Sequence, residues 1–113
     1  PPTLLVRADA AQLEQALLNL IRNAERATEG LSAPLLRVDA VLTRSSRLRL
    51  SVQDNGPGVP AGLEQQIFLP FFSASEGGRG IGLTVARQLV HGMGGRLRHL
   101  RPLEGGASFV ITL

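Results

Sequence analysis

The chain has 113 residues, the size of one domain with one core, and a composition (43% hydrophobic, 19% charged, 4% aromatic) that excludes a disordered chain. No apolar run approaches the about 20 residues of a membrane helix, no signal peptide opens the chain, and the lack of Cys excludes disulfides, Cys-ligated zinc and thiol chemistry. All 12 basic residues are Arg against 9 acidic ones, so the pI of about 11.3 reflects the missing Lys and Tyr more than a strongly basic surface, and P-loop-lysine and Schiff-base chemistry are excluded.

In chain order, Thr3–Arg7 reads as a short strand. Asp9 is placed as a helix N-cap, with Gln12 completing a capping box. Leu13, Leu17, Leu20, Ile21 and Ala24 recur at three- and four-residue spacing, which predicts an amphipathic helix to about Thr28, ended by Gly30. Residues 35–42 and 47–53 are predicted as strands joined around Arg44–Ser46, the second with Leu48, Leu50 and Val52 inward and Arg47, Arg49 and Ser51 outward. Asp54–Pro60 (DNGPGVP) is turn chemistry, a short helix is predicted from about Gly62 to Phe68, and Ser73–Gly80 (SASEGGRG) reads as a Gly-rich loop. Helical spacing returns over Ile81–Met93 and stops at Gly94–Gly95; Arg96–Leu100 and Ala107–Leu113 make a final pair of strands. No repeat or linker divides the chain, which reads as one domain over 1–113. Because it opens at Pro1 rather than Met, it is expected to be a piece of a longer protein.

Three segments carry candidate chemistry. On the first helix Gln15, Asn19, Asn23 and Arg26 line one face on successive turns, with Arg22 beside them. Such a stripe can be a solvated face, but amides in mid-helix gain little from the ion pairs that support one. In DNGPG, Gly56 and Gly58 permit close backbone approach to a flat ligand, and Asp54, an acceptor-only carboxylate, suits an exocyclic amino group; a plain turn would look the same. GGRGIGL runs straight into a helix, where glycine N–H groups and the helix N-terminus favour phosphate. It sits too late in the chain for a dinucleotide fingerprint.

Taken in order, LLNLIRNA, DNGPG, FLPFF and GRGIGL resemble the N box, first glycine box, F box and second glycine box of the ATP-binding catalytic domain of two-component sensor histidine kinases, and GGASFVITL resembles its closing strand. These domains belong to the superfamily of gyrase, heat-shock chaperone, histidine kinase and mismatch-repair ATPases. The resemblance implies an α/β fold of the α+β two-layer sandwich kind. Its mixed, mostly antiparallel sheet is covered on one face by about three helices, the Bergerat-type ATP-binding fold. It implies ATP and Mg²⁺ as cofactors, with Asn23 as the metal ligand, Asn19 assisting on the same face and Arg26 standing where the family has a phosphate-contacting Lys. It implies that Asp54 reads the adenine amino group beside Gly56 and Gly58, and that Phe71 and Phe72 anchor part of a lid. Gly78, Gly80 and Gly82, with Arg79 and Leu83, are expected around the phosphates.

Hydrolysing members of the superfamily place a Glu four residues before the metal-binding Asn; here Asn19 stands there, and an amide is no general base. The resemblance is therefore to a kinase, for which positioning and charge neutralisation suffice. The family's phosphoacceptor is a His on a separate dimerisation domain. His91 and His99 lack its sequence context and read as ordinary surface or edge histidines. The implied partners are that dimerisation domain of the same parent and a response regulator, with a homodimeric parent, no nucleic acid and no direct membrane contact. The implied location is cytoplasmic, as part of a bacterial sensor kinase. Ser75 replaces a common lid Lys or Arg, with Arg79 a candidate substitute for the lost charge, and the short lid resembles kinases of the nitrogen-regulation type. That departure motivates the alternative of a degenerate nucleotide- or partner-binding module without phosphotransfer. A third reading, nucleic-acid binding through Arg44, Arg47, Arg49, Arg96, Arg98 and Arg101, lacks interleaved aromatic residues.

Overall fold

The computed structural model describes residues 9–69 and 82–113. The first helix, α1 (Ala10–Ala27), starts where expected: the Asp9 carboxylate accepts the N–H groups of Ala11 and Gln12 at 2.9 and 3.1 Å. It ends at Thr28, whose N–H and hydroxyl both donate to the Ala24 carbonyl, and Gly30 follows with φ +82°. Its apolar face buries Ala16, Leu20 and Ala24.

Strands β1 (Leu36–Leu42) and β2 (Leu48–Asp54) form an antiparallel hairpin in the register Leu42↔Leu48 to Leu36↔Asp54. Its turn is closed by Thr43, whose N–H donates to the Arg47 carbonyl while its hydroxyl accepts the Arg47 N–H. The expected helix over 62–68 is reduced to a 3₁₀ turn at Gln66–Phe68. Leu69, which precedes Pro70, is extended (φ −74°, ψ 144°), as a residue before proline prefers, so the turn cannot propagate. Helix α2 (Gly82–Gly92) buries Ala86 and Val90 and ends as Gly94 and Gly95 return their N–H groups to the carbonyls of His91 and Val90. Strands β3 (Arg96–Leu100) and β4 (Ala107–Thr112) complete a sheet of order β1-β2-β4-β3.

All three strand pairings among the described residues are antiparallel, and two α-helices are present among them. The mixed character and about three helices expected from the resemblance thus become, for these residues, an antiparallel α+β two-layer fold; the expected strand at Thr3–Arg7 lies outside them. Both helices pack on one face of the sheet and against each other. Between the layers Leu20, Val52, Val90 and Ile111 are fully buried. Truncating one of the larger of these to Ala should cost about 2–5 kcal/mol. The other face presents Arg37, Arg49, Arg96 and Arg98 among polar residues such as Ser51, Gln53, Ser108 and Thr112 and the apolar Val41, Leu100 and Val110, by alternation along the strands.

Candidate functional site

Asp54 is the last residue of β2 rather than a turn residue, and it is 3% exposed. Its Oδ1 accepts the Gly56 N–H at 2.8 Å, while Oδ2 is buried with no hydrogen-bond partner among the described residues. Burial pushes this carboxyl above its ordinary value, with the backbone N–H groups of Gly56 and Ala107 and the charge of His99 pulling the other way. A buried, half-satisfied carboxylate is costly unless something supplies a donor.

The turn after Asp54 is wedged between three elements. A Cβ on Gly56 would stand 2.5 Å from the Ala27 carbonyl oxygen, so only glycine lets the turn sit against the end of α1. A Cβ on Gly58 would stand 2.7 Å from the Gly106 carbonyl oxygen, and one on Gly106 (φ +81°) would run into the carbonyl of Asp54. Asn55 ties the turn to the loop before β1: its Oδ1 accepts from Leu35 N–H at 2.8 Å and its Nδ2 donates to Ala33 O at 2.9 Å.

One to three turns back along α1 lies the amide stripe. Gln15 Nε2 donates to Asn19 Oδ1 at 3.0 Å, and Asn19 Nδ2 donates to the carbonyl of Gly82, the first residue of α2, at 3.4 Å. The Asn19 oxygen is thus held by Gln15 of its own helix, while its nitrogen joins α1 to α2. Arg26 Nη2 lies 3.7 Å from where a Cβ on Gly82 would be, so the guanidinium also faces the start of α2. Asn23 is half-buried on the same face and Leu83 packs on the core. Asn19, Arg26, Gly82 and the Asp54–Gly58 turn are thus gathered at one end of the helical layer. Phe71, Phe72, Gly78, Arg79, Gly80 and Ser75 lie outside the described residues.

Several contributors have no sequence signature of their own. Gly106 looks like any turn glycine beside Gly105, yet it is the one against Asp54. Thr84 donates its hydroxyl to the Phe68 carbonyl at 2.7 Å, Arg87 stacks over the Phe68 ring at 5.4 Å, and Phe68 meets Phe109 edge-on, so α2 and the sheet hold the start of the FLPFF segment. Nothing near Thr84 or Arg87 in the sequence predicts that tertiary contact. His99 is on β3, at the edge of the sheet among the described residues, as expected, but its ring turns inward onto Phe109, with Nε2 buried and unpartnered among the described residues. Burial, aided by Arg101, pushes its pKa below the ordinary value, against the pull of Glu64 and Asp54. Of the arginines of the nucleic-acid reading, Arg49, Arg96 and Arg98 share the open face of the sheet, whereas Arg44 and Arg47 flank a hairpin turn and Arg101 is paired with Glu64.

Among the described residues no three His, Cys, Asp or Glu side chains converge on a metal position, and no helix is long and apolar enough to cross a membrane. The family described as histidine kinase-, DNA gyrase B- and HSP90-like ATPase matches residues 8–113. The two-component sensor PprA of Pseudomonas aeruginosa is 41% identical over 97% of this chain, and the sensory histidine kinase/phosphatase NtrB of Klebsiella oxytoca is 40% identical over 79%. The chain spans 12% and 28% of the lengths of these two relatives. Among solved structures, the mycobacterial sensor histidine kinase MprB superimposes with a TM-score of 0.83 at 28% identity, covering 96% of this chain and 73% of that one. The catalytic domain of histidine kinase ThkA, in a nucleotide-free form, gives a TM-score of 0.81 at 29% identity, covering 96% and 70%. The chain therefore belongs to the histidine kinase-, DNA gyrase B- and HSP90-like ATPases, as the catalytic domain of a sensor histidine kinase.

Proposed function

We propose that this domain binds MgATP and presents its γ-phosphate to a histidine on a separate dimerisation domain of the same parent, ahead of transfer to a response regulator. The observation that carries the adenine end is the buried Asp54 Oδ2 without a partner among the described residues. It is an acceptor at the floor of a site whose wall, at Gly56 and Gly58, is bare backbone, and it fits the exocyclic amino group of adenine. Asn23 fits Mg²⁺ through its amide oxygen, a hard ligand for an ion held mainly by phosphates. Asn19, with both amide ends engaged, acts as a positioning residue that fixes α2 against α1. Arg26 and the N-terminus of α2 at Gly82 and Leu83 supply positive potential for the phosphates. Phe71, Phe72, Gly78, Arg79 and Gly80 are assigned to the lid and phosphate loop on the family pattern alone.

ATP supplies the transferable phosphoryl group, and bound Mg²⁺ neutralises its charge. The protein's work is to hold the nucleotide in line and to offer no general base to water, which the amide at Asn19 satisfies. The parent is proposed to be a cytoplasmic or membrane-anchored homodimer with this domain on the cytoplasmic side. Calorimetric titration with MgATP, on the native chain and on Asn23→Ala, tests the binding half. Binding should require Mg²⁺, and Asn23→Ala should remove that requirement together with most of the affinity. An absence of heat from the native chain at millimolar MgATP would overturn the reading.

A further inference from the structure

The inward side chains of β2, β4 and β3 are Leu, Val, Ile, Phe or Ala, with two exceptions, Asp54 and His99. The nucleotide reading uses Asp54 and leaves His99 without a task. A Val or Leu at this position would pack on Phe109 with no polar atom to bury. The imidazole instead lies tilted on that ring at 5.3 Å, with Nε2 buried. The strand register relates this costly group to the site. Asp54 is opposite Ala107 and His99 is opposite Phe109, so the two flank β4 on the same face. They are offset by two residues along that strand, which puts their Cα atoms roughly 12 Å apart. The line between them passes Ala107, whose methyl group raises little between the two side chains.

Charges held away from water are weakly screened, so each group favours the charged form of the other. The His99 charge pulls the Asp54 carboxyl down against burial, and the Asp54 charge pulls the imidazole up against burial. Glu64 acts on His99 as Asp54 does, whereas Arg101, paired with Glu64, opposes both. From α2, which packs on β3, come Arg87, over the Phe68 ring, and His91. Resting on the nucleotide reading, we propose that His99 is a positioning residue of the adenine site, which keeps Asp54 a carboxylate by taking up in acid the proton that would otherwise go to it. A protonated Asp54 presents an O–H donor where the amino group of adenine needs an acceptor, so a proton there weakens binding, and a proton on His99 does not. The pair titrates as a unit. With a side chain at 99 that takes no proton, Asp54 is protonated at a higher pH and affinity for MgATP is lost earlier.

Calorimetric titrations with MgATP from about pH 8 to about pH 5, on the native chain, His99→Phe and His99→Gln, test this. Each chain is compared with its own affinity at the alkaline end. Both variants should lose at least about threefold more affinity than the native chain over that range, the equivalent of about half a pH unit. Phe preserves the packing on Phe109 and Gln does not, so a merely structural role would separate the two variants. In the chain without nucleotide, the His99 imidazole, assigned with the help of His91→Gln, is titrated by NMR. Its midpoint should fall by about half a unit in Asp54→Asn, which removes the favourable charge. An unmoved midpoint, or acid losses in the variants equal to that of the native chain, overturns the proposal while leaving the nucleotide reading in place. No heat with MgATP from the native chain at any pH overturns the nucleotide reading and this inference with it.

Discussion

Asp54→Asn should separate the stability of the domain from its affinity for nucleotide. Asp54 is 3% exposed and one of its oxygens has no hydrogen-bond partner among the described residues, so its ionised form carries a desolvation cost that the Gly56 and Ala107 N–H groups and the charge of His99 only partly offset. Asparagine has the same shape, keeps an oxygen for the Gly56 N–H and removes the charge. Because the folded-state pKa is raised above 3.8, the folded chain binds more protons than the unfolded one between the two values. Native stability therefore falls as pH rises through that window and stays lower above it, while the Asn chain lacks this contribution. Without nucleotide, the variant should melt at or above the native temperature at neutral pH, with the difference closing as pH falls to about 4. Binding should move the opposite way, because an NH₂ group now stands where adenine needs an acceptor. Losing a hydrogen bond to a charged group is worth about 1.5–3 kcal/mol, or about 10- to 100-fold in the Kd for MgATP. Scanning calorimetry across pH and titration calorimetry with MgATP read the two effects apart. Stability and affinity falling together, or affinity unchanged, would refute the reasoning.

Gly106→Ala should destabilise the domain by at least about 3 kcal/mol in denaturant melts, since its Cβ meets the backbone of Asp54, whereas Gly105→Ala, with open space around it, should cost only about 1–2 kcal/mol. Equal effects would show that the interlock is not built as described. His99→Phe should remove an acid-sensitive component of stability. The folded pKa lies below 6.5, so the unfolded chain takes up the proton first and native stability is lost as pH falls through and below that value. Thr84→Val removes the hydroxyl bond to the Phe68 carbonyl and should cost about 1 kcal/mol in thermal melts.

Local chemistry made most of the scaffold legible. The Asp9 cap, the alternation of Leu48, Leu50 and Val52, and the glycines after α2 each placed an element boundary to within one or two residues of its observed position. The family motifs were legible for a different reason: they are read as a set in order. The features that stayed hidden depend on residues far apart in the chain. The link from Gln15 through Asn19 to Gly82 spans 63 positions at its longer step, and no periodicity in α1 reveals which carbonyl Asn19 will meet. The same holds for Gly106, whose close approach to Asp54 is set by the β2–β4 pairing. The inward turn of His99 follows from the parity of β3, which was available in the sequence. A lone histidine between arginines gave no reason to choose the face.

The position of β4 has a consequence for how the domain comes into being. Among the described residues it is the last strand in sequence order, yet it lies between β2 and β3, and Asp54 pairs with Ala107. During synthesis α1, the β1–β2 hairpin and α2 emerge before the strand that walls in Asp54. The carboxylate is then still hydrated and carries no more affinity for an adenine than a free aspartate would. Nucleotide can therefore stabilise only the finished domain and cannot act as a template for the early part of it. A truncation that removes Gly106 together with β4 should abolish binding altogether, rather than weaken it by degrees.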